Sequence, residues 1–159
     1  MPKPRIYVET TIPSAYHTGR TDPDSLKRRA TTRTWWDAAI LSSELVTSDV
    51  VLQELAGGRP EPSRLRLAMA KSLHVIDSGI TELTTALTYV RLKIMLGNPL
   101  ADALHLAIAS HHRCDVLLTW NYHHLANQNK LDRIRKVNEV LGLSVPRILT
   151  PKQLLEEGR

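Results

Sequence analysis

The chain has no phenylalanine, and aromatic residues make up only 4% of it. A nucleic-acid platform built from several stacked aromatic side chains is thereby disfavoured. Its one cysteine, Cys114, excludes an internal disulfide and a cysteine-paired zinc site. No apolar run approaches the roughly 18 residues needed to span a bilayer. The charged start, Met1 to Arg5, is not followed by the apolar stretch of a secretory signal. No membrane partner is expected, and the cytoplasm is the default location. After the first apolar segment stands Glu9-Thr10-Thr11-Ile12-Pro13-Ser14 where a dinucleotide fold would carry G-x-G-x-x-G, and a phosphate-cradling P-loop is also absent. A nucleotide-cofactor oxidoreductase is disfavoured on that ground.

What is present fits one domain over residues 1–159, with 42% hydrophobic and 23% charged residues and a net charge of +5. The basic residues are spread along the chain: Lys27, Arg28, Arg29 and Arg33 early, Arg59, Arg64 and Arg66 centrally, Lys130, Arg133, Arg135 and Lys136 late. Such a surface suits a polyanion, nucleic acid above all, although a merely solvated basic surface has the same composition.

Short apolar segments alternate with helical patterns. Arg5-Ile6-Tyr7-Val8, Leu45-Val46-Thr47, Leu73 to Ile76, Val116-Leu117-Leu118 and Arg147-Ile148-Leu149 read as strands. Thr10 to Pro13 reads as a break after the first, and His17 to Asp24 as the best candidate for a mobile surface loop. Helices are expected from Ser25 to Leu41, with Asp24 or Ser25 as cap, and from Ser48 or Asp49 to a stop at Gly57-Gly58. Others are expected after Pro62, from Thr81 to Leu96 with a stop at Gly97-Asn98-Pro99, from Ala101 to His111, from Leu131 to Leu141, and from Pro151. The alternation predicts an α/β fold with a mainly parallel sheet covered on both faces.

Ligands of such sheets bind beyond the carboxyl ends of the strands. Glu9 follows the first strand and Asn121 the fourth, so a parallel sheet brings them to one edge. Glu54 lies on the helix after the second strand. Asp102 and His105 fall one turn apart on a helix whose Leu100, Leu104, Ala107 and Ile108 read as core. Two carboxylates at roughly 4 Å repel by about 4 kcal/mol at an effective dielectric near ~20, so a cluster of them calls for a proton or a hard divalent cation, Mg²⁺ or Mn²⁺, with oxygen ligands. Taken singly, Glu9 also reads as a strand terminus, Glu54 as a surface helix residue, Asp102 as a charge favoured by its helix dipole, and Asn121 and Thr119 as turn residues. His105 reads as a packing residue rather than a substrate contact. Adjacent histidines point apart on a helix, which counts against a zinc site at His111-His112 or His123-His124.

Four segments in this order resemble the PIN-domain nucleases, especially VapC-type toxins: Tyr7-Val8-Glu9-Thr10-Thr11-Ile12-Pro13-Ser14, Ser48 through Glu54, Ala101-Asp102-Ala103-Leu104-His105-Leu106-Ala107, and Leu117-Leu118-Thr119-Trp120-Asn121. His124-Leu125-Ala126-Asn127 and Thr150-Pro151-Lys152-Gln153-Leu154-Leu155 resemble one branch of that family. The resemblance implies a three-layer α/β/α sandwich, Mg²⁺- or Mn²⁺-dependent endoribonuclease activity on RNA, a homodimer, and an antitoxin whose tail covers the site. It also implies that Glu9, Glu54, Asp102 and Asn121 form the metal site, mainly through Glu9 and Asp102, with Thr10 and Thr119 supporting them by hydrogen bonds. Two positions depart from the family pattern. The first acid is usually Asp; Glu9 carries its carboxylate about 1.5 Å further, and a misplacement near ~1 Å can cost on the order of 10² in rate. The fourth is often Asp, whereas Asn121 offers an oxygen without charge. These departures leave open a PIN-like module that binds RNA or protein without cutting, and a phosphohydrolase acting on DNA or small phosphoesters is a further alternative. The stripe carrying Trp35 and Trp36 reads chiefly as core and secondarily as a dimer or antitoxin surface.

Overall fold

The computed structural model describes residues 2–57, 60–94, 100–121 and 128–158, of which residues 60–63 and 128 by backbone alone. Five strands form one all-parallel sheet: β1 (Arg5–Val8), β2 (Glu44–Ser48), β3 (His74–Ile76), β4 (Val116–Leu118) and β5 (Arg147–Leu149), in the order β3-β2-β1-β4-β5. Eight helices occur among the described residues: α1 (Thr11–Tyr16), α2 (Pro23–Ser42), α3 (Asp49–Ala56), α4 (Pro60–Lys71), α5 (Ile80–Arg91), α6 (Leu100–His111), α7 (Gln128–Leu141) and α8 (Pro151–Glu157).

Successive strand residues point to opposite faces, and the core divides accordingly. Tyr7, Val46 and Leu117 join a cluster with α3, α5, α6 and α7 on one face. Ile6, Val8, Leu45, Val116 and Leu118 join Ile12 of α1 and Trp35 and Ala39 of α2 on the other, where Leu154 and Leu155 of α8 pack against them. The result is the expected α/β/α sandwich. Trp35 is buried and Trp36 packs against the same cluster, as the reading of that stripe as core requires.

Several boundaries differ from expectation. The segment after β1 is not a break but the N-cap and first turn of α1, with Ile12 and Pro13 buried; Pro13 is tolerated because the first turn lacks intrahelical acceptors for its amides. Helix α2 begins earlier than Ser25, with Asp22 as cap accepting from Ser25 N at 3.1 Å and Pro23 in its first turn, so the irregular stretch shrinks to residues 17–22. Helix α5 stops at Arg91 rather than near Leu96. Lys93 takes a left-handed φ of 56°, and Ile94 N donates to Tyr89 O, turning Ile94 back into the core. Leu100, expected in the core, is 39% exposed at the start of α6. Gly58, the expected stop at Gly97-Asn98-Pro99, and residues 123–127 with the second histidine pair lie outside the described residues.

The strand order places the site. From β1 the chain moves outward through β2 and β3 to one edge, then returns to β4 on the other side of β1. The β1/β4 boundary is therefore the point where the order reverses, and a crevice opens beyond the carboxyl ends of these two strands. Tyr7 pairs in register with Leu117, and Val8 with Leu118, so Glu9 and Thr119 emerge side by side.

Candidate active site

Glu9 is buried, 4% exposed, directly beyond β1. Its carboxylate is held by two threonines. Thr11 donates its amide to Oε1 at 2.8 Å and its hydroxyl to Oε2 at 2.9 Å, and the Thr119 hydroxyl donates to Oε2. Each hydroxyl is itself oriented, because Thr11 Oγ1 accepts from Trp120 N at 2.8 Å and Thr119 Oγ1 accepts from Asn121 N at 2.9 Å. With a backbone amide already donating to it, each hydroxyl turns its single proton to Glu9. Burial raises the Glu9 carboxyl above its ordinary value, against the opposing pull of the His105 charge and these hydrogen bonds. Glu9 is thus a desolvated carboxyl in a rigid cradle, and its ionised form is stabilised by a neighbouring cation.

Glu54 approaches from α3. Its Oε1 accepts from the Thr10 hydroxyl at 3.0 Å and from His105 Nε2 at 2.6 Å. Burial would raise this carboxyl, but the hydrogen bond and charge of His105, with the Thr10 hydroxyl, outweigh it and hold the group below its ordinary value. His105 is 2% exposed and reaches Tyr7 Oη with Nδ1 at 2.7 Å; Tyr7 Oη also lies 2.7 Å from Ser48 Oγ, the cap of α3. A polar chain therefore runs from the start of α3 through the sheet to α6 and back to Glu54 on α3. Burial opposes charge on His105, yet the Glu54 hydrogen bond and the charges of Glu9, Glu54 and Asp102 lift its pKa above the ordinary value. Three carboxylates thus act on one imidazole.

The six residues singled out in the sequence are not all joined in the way expected. Glu9, Thr119 and the backbone of Asn121 form one connected group; Thr10 belongs with Glu54; Asp102 stands one turn before His105 on α6 and acts on it through its charge. Thr10 and Thr119 donate to acids as expected, to Glu54 and to Glu9 respectively, and the second threonine on Glu9, Thr11, is the one sequence reasoning missed. Which hydroxyl of the Thr10-Thr11 pair turns inward depends on α1 starting at Thr11, and that segment reads as a break. Tyr7 and Ser48 were missed for a different reason: both read as strand and cap, which they also are. His105 is a packing residue that also fixes Glu54.

Oxygen donors of this kind suit a hard cation, and desolvated Glu9 is the charge such a cation would offset. Among the described residues, however, no group of three or more His, Cys, Asp or Glu side chains stands ready-made to hold a metal. The fit is one of donor chemistry and of charge, with His105 holding Glu54 Oε1. The histidine pair His111-His112 is used structurally: His111 Nε2 bonds Thr85 Oγ1 at 2.8 Å and His112 Nε2 bonds Glu82 Oε1 at 2.9 Å, both on α5. Burial pushes the Cys114 thiol up to about 12, which makes it an inert core residue. No helix among the described residues is long and apolar enough to cross a membrane.

Residues 6–131 match the PIN domain family. No curated protein matches by sequence. Among solved structures, a toxin–antitoxin complex from Klebsiella pneumoniae superimposes with a TM-score of 0.60 at 18% identity, covering 92% of this chain and 97% of that one. VapBC2 from Rickettsia felis, bound to a DNA fragment from its promoter, gives 0.57 at 15% identity over 92% and 98%. VapC20 of Mycobacterium tuberculosis, a sarcin-ricin loop cleaving toxin, gives 0.52 at 20% identity over 65% and 80%. At these identities the likeness is one of fold.

Proposed function

The chain belongs to the PIN domain family, and on that premise we propose that it is an Mg²⁺- or Mn²⁺-dependent endoribonuclease, a VapC-type toxin in which residues 1–159 form one PIN domain. The observation that carries this reading is the buried Glu9, gripped by Thr11 and Thr119 where the strand order reverses, with Glu54 and Asp102 acting on the same His105. The similarity in fold to a toxin that cleaves the sarcin-ricin loop agrees with it.

Glu9 and Asp102 would hold the cation, joined by Glu54 and by the Asn121 amide oxygen. A bound divalent cation supplies a polarised phosphodiester and an activated water. The chain's own residues supply position. Thr11 and Thr119 fix the Glu9 carboxylate, and Thr10 and His105 fix Glu54, so that little reorganisation is left for the reaction. Tyr7 and Ser48 fix His105 in turn. An antitoxin protein and a second copy of the chain are the proposed partners, and the cytoplasm is the proposed location.

The test is cleavage of a mixed RNA by purified protein in Mn²⁺, Mg²⁺ or EDTA, alongside Asp102→Ala. Metal-dependent products that vanish in EDTA and fall at least a hundredfold in the variant are expected. Absence of products with either metal, from folded protein free of antitoxin, would leave a binding module instead.

A further inference from the structure

Two clefts open beside the acidic site, and they share one wall. The nearer, about 260 Å³, is lined by Thr11 and Asn121 at its inner end and by Arg20, Arg28 and Arg66, with no acidic side chain among the described residues of its lining, although Arg20 pairs with Asp22 beside it at 3.3 Å. The farther, about 510 Å³, carries Lys27, Arg28 and Lys152 against Asp24 and Glu156, and its size falls within the roughly 300–1,000 Å³ of sites that hold small ligands. Trp120 and Arg28 line both clefts.

This wall is built rather than incidental. The Trp120 indole donates to Thr32 Oγ1 at 3.0 Å, and Thr32, fully buried, donates its own hydroxyl to Arg28 O at 2.6 Å one turn earlier on α2. The Arg28 guanidinium lies 5.2 Å from the centre of the indole ring. The Trp120 amide is bound to Thr11 Oγ1, the hydroxyl that grips Glu9, so the ring is anchored to the acidic site at one end and to α2 at the other. In the nearer cleft, Arg66 Nε is buried with no hydrogen-bond partner among the described residues. An unmet donor on a cation beside two further arginines is the chemistry of an anion site.

We propose that the strand of single-stranded RNA leaving the acidic site runs over this wall. A phosphate would sit among Arg20, Arg28 and Arg66, a base would stack on Trp120 and the Arg28 plane, and the next phosphate would meet Lys27 and Lys152. The charge pattern favours a polyanion over an apolar helix, and a lone indole with a guanidinium is a sequence-tolerant base platform. Trp120 is the one aromatic side chain among the described residues lining the two clefts. The inference rests on the ribonuclease reading and names where its substrate is held.

The test is the affinity of a short fluorescein-labelled single-stranded RNA, read by anisotropy in EDTA across a salt series, together with KM and kcat for its cleavage in Mn²⁺. Arg28→Ala and the exposed double variant Lys27→Glu with Lys152→Glu should each weaken binding about tenfold. Each should also flatten the plot of log Kd against log salt by about 0.7 for every phosphate no longer neutralised, and raise KM with kcat retained. Trp120→Leu should weaken binding similarly while Trp120→Phe keeps most of it, which separates stacking from misfolding. Variants that bind and cut RNA with unchanged Kd, salt slope and KM would overturn this track while leaving the nuclease reading intact. Variants that lose affinity for an antitoxin but not for RNA would overturn it too and make the face a protein-docking surface. Wild-type protein that neither binds nor cuts RNA would remove both readings.

Discussion

At the scale of single residues, the account turns on how Glu9 is held. A glutamate at this place reaches about 1.5 Å further than an aspartate, and the structure shows what receives the extra length: the amide and hydroxyl of Thr11 and the hydroxyl of Thr119. Thr11→Val removes the hydroxyl that serves both Glu9 and Trp120 N, so the carboxylate loses its orientation. Metal-stimulated RNA cleavage should fall by about 10- to 100-fold, in keeping with a displacement near ~1 Å, with Thr11→Ser retaining most of it. A steady-state cleavage assay on both variants checks this; equal activity of Thr11→Val and wild type would mean that the cradle is structural only. Glu9 and Glu54 were legible in the sequence because one directly follows a strand and the other lies on the helix that follows one; Asp102 lies on α6, which follows α5 and leads into β4, and was legible only through the family resemblance of its segment. Thr11 was not, since the inward turn of one hydroxyl in Thr10-Thr11 is decided by the start of α1, and a six-residue helix containing Pro13 carries too little periodicity to be seen.

At the scale of elements, α5 and α6 pack side by side and are tied at their surface by Glu82–His112 and Thr85–His111. Burial works against charge on Glu82, but the Gly79 amide and the His112 hydrogen bond hold its carboxyl below the ordinary value. A carboxyl depressed in the folded state contributes stability that is present above its unfolded value, near ~4.3, and lost as pH falls through the folded value. Thermal melts should therefore show Glu82→Gln less stable than wild type at neutral pH, with the gap closing on acidification below about pH 4. A gap independent of pH would assign the loss to capping of α5 alone. All five strands and seven of the helices were legible as elements in the sequence, through short apolar runs, caps and Pro or Gly punctuation. Their ends were less so. The early stop of α5 depends on Lys93 taking a left-handed turn so that Ile94 can be buried, a tertiary gain that no local pattern shows.

At the scale of the molecule, the order β3-β2-β1-β4-β5 turns residues more than a hundred positions apart into neighbours. Glu9 and Thr119 meet because β1 and β4 pair at the reversal of strand order, and the arginines of α2 and α4 then face the same crevice. Three of the chain's basic residues, Arg66 far in sequence from Arg20 and Arg28, thus line one cleft beside the acids. The parallel sheet with helices on both faces followed from the alternation of segments. The clustering of Arg20, Arg28 and Arg66 did not, because linear charge pattern says nothing about which loops and helices the crossovers bring together.

The central claim is that RNA is cut at the β1/β4 edge and that Glu9 is required there. The direct measurement is the single-turnover rate of RNA cleavage in saturating Mn²⁺ by wild type and by Glu9→Gln, which keeps the side chain's size and removes its charge, with a melting curve to show that both are folded. A folded variant slowed at least a hundredfold is the expected result. A folded Glu9→Gln that cuts at the wild-type rate would contradict the account and place the chemistry elsewhere.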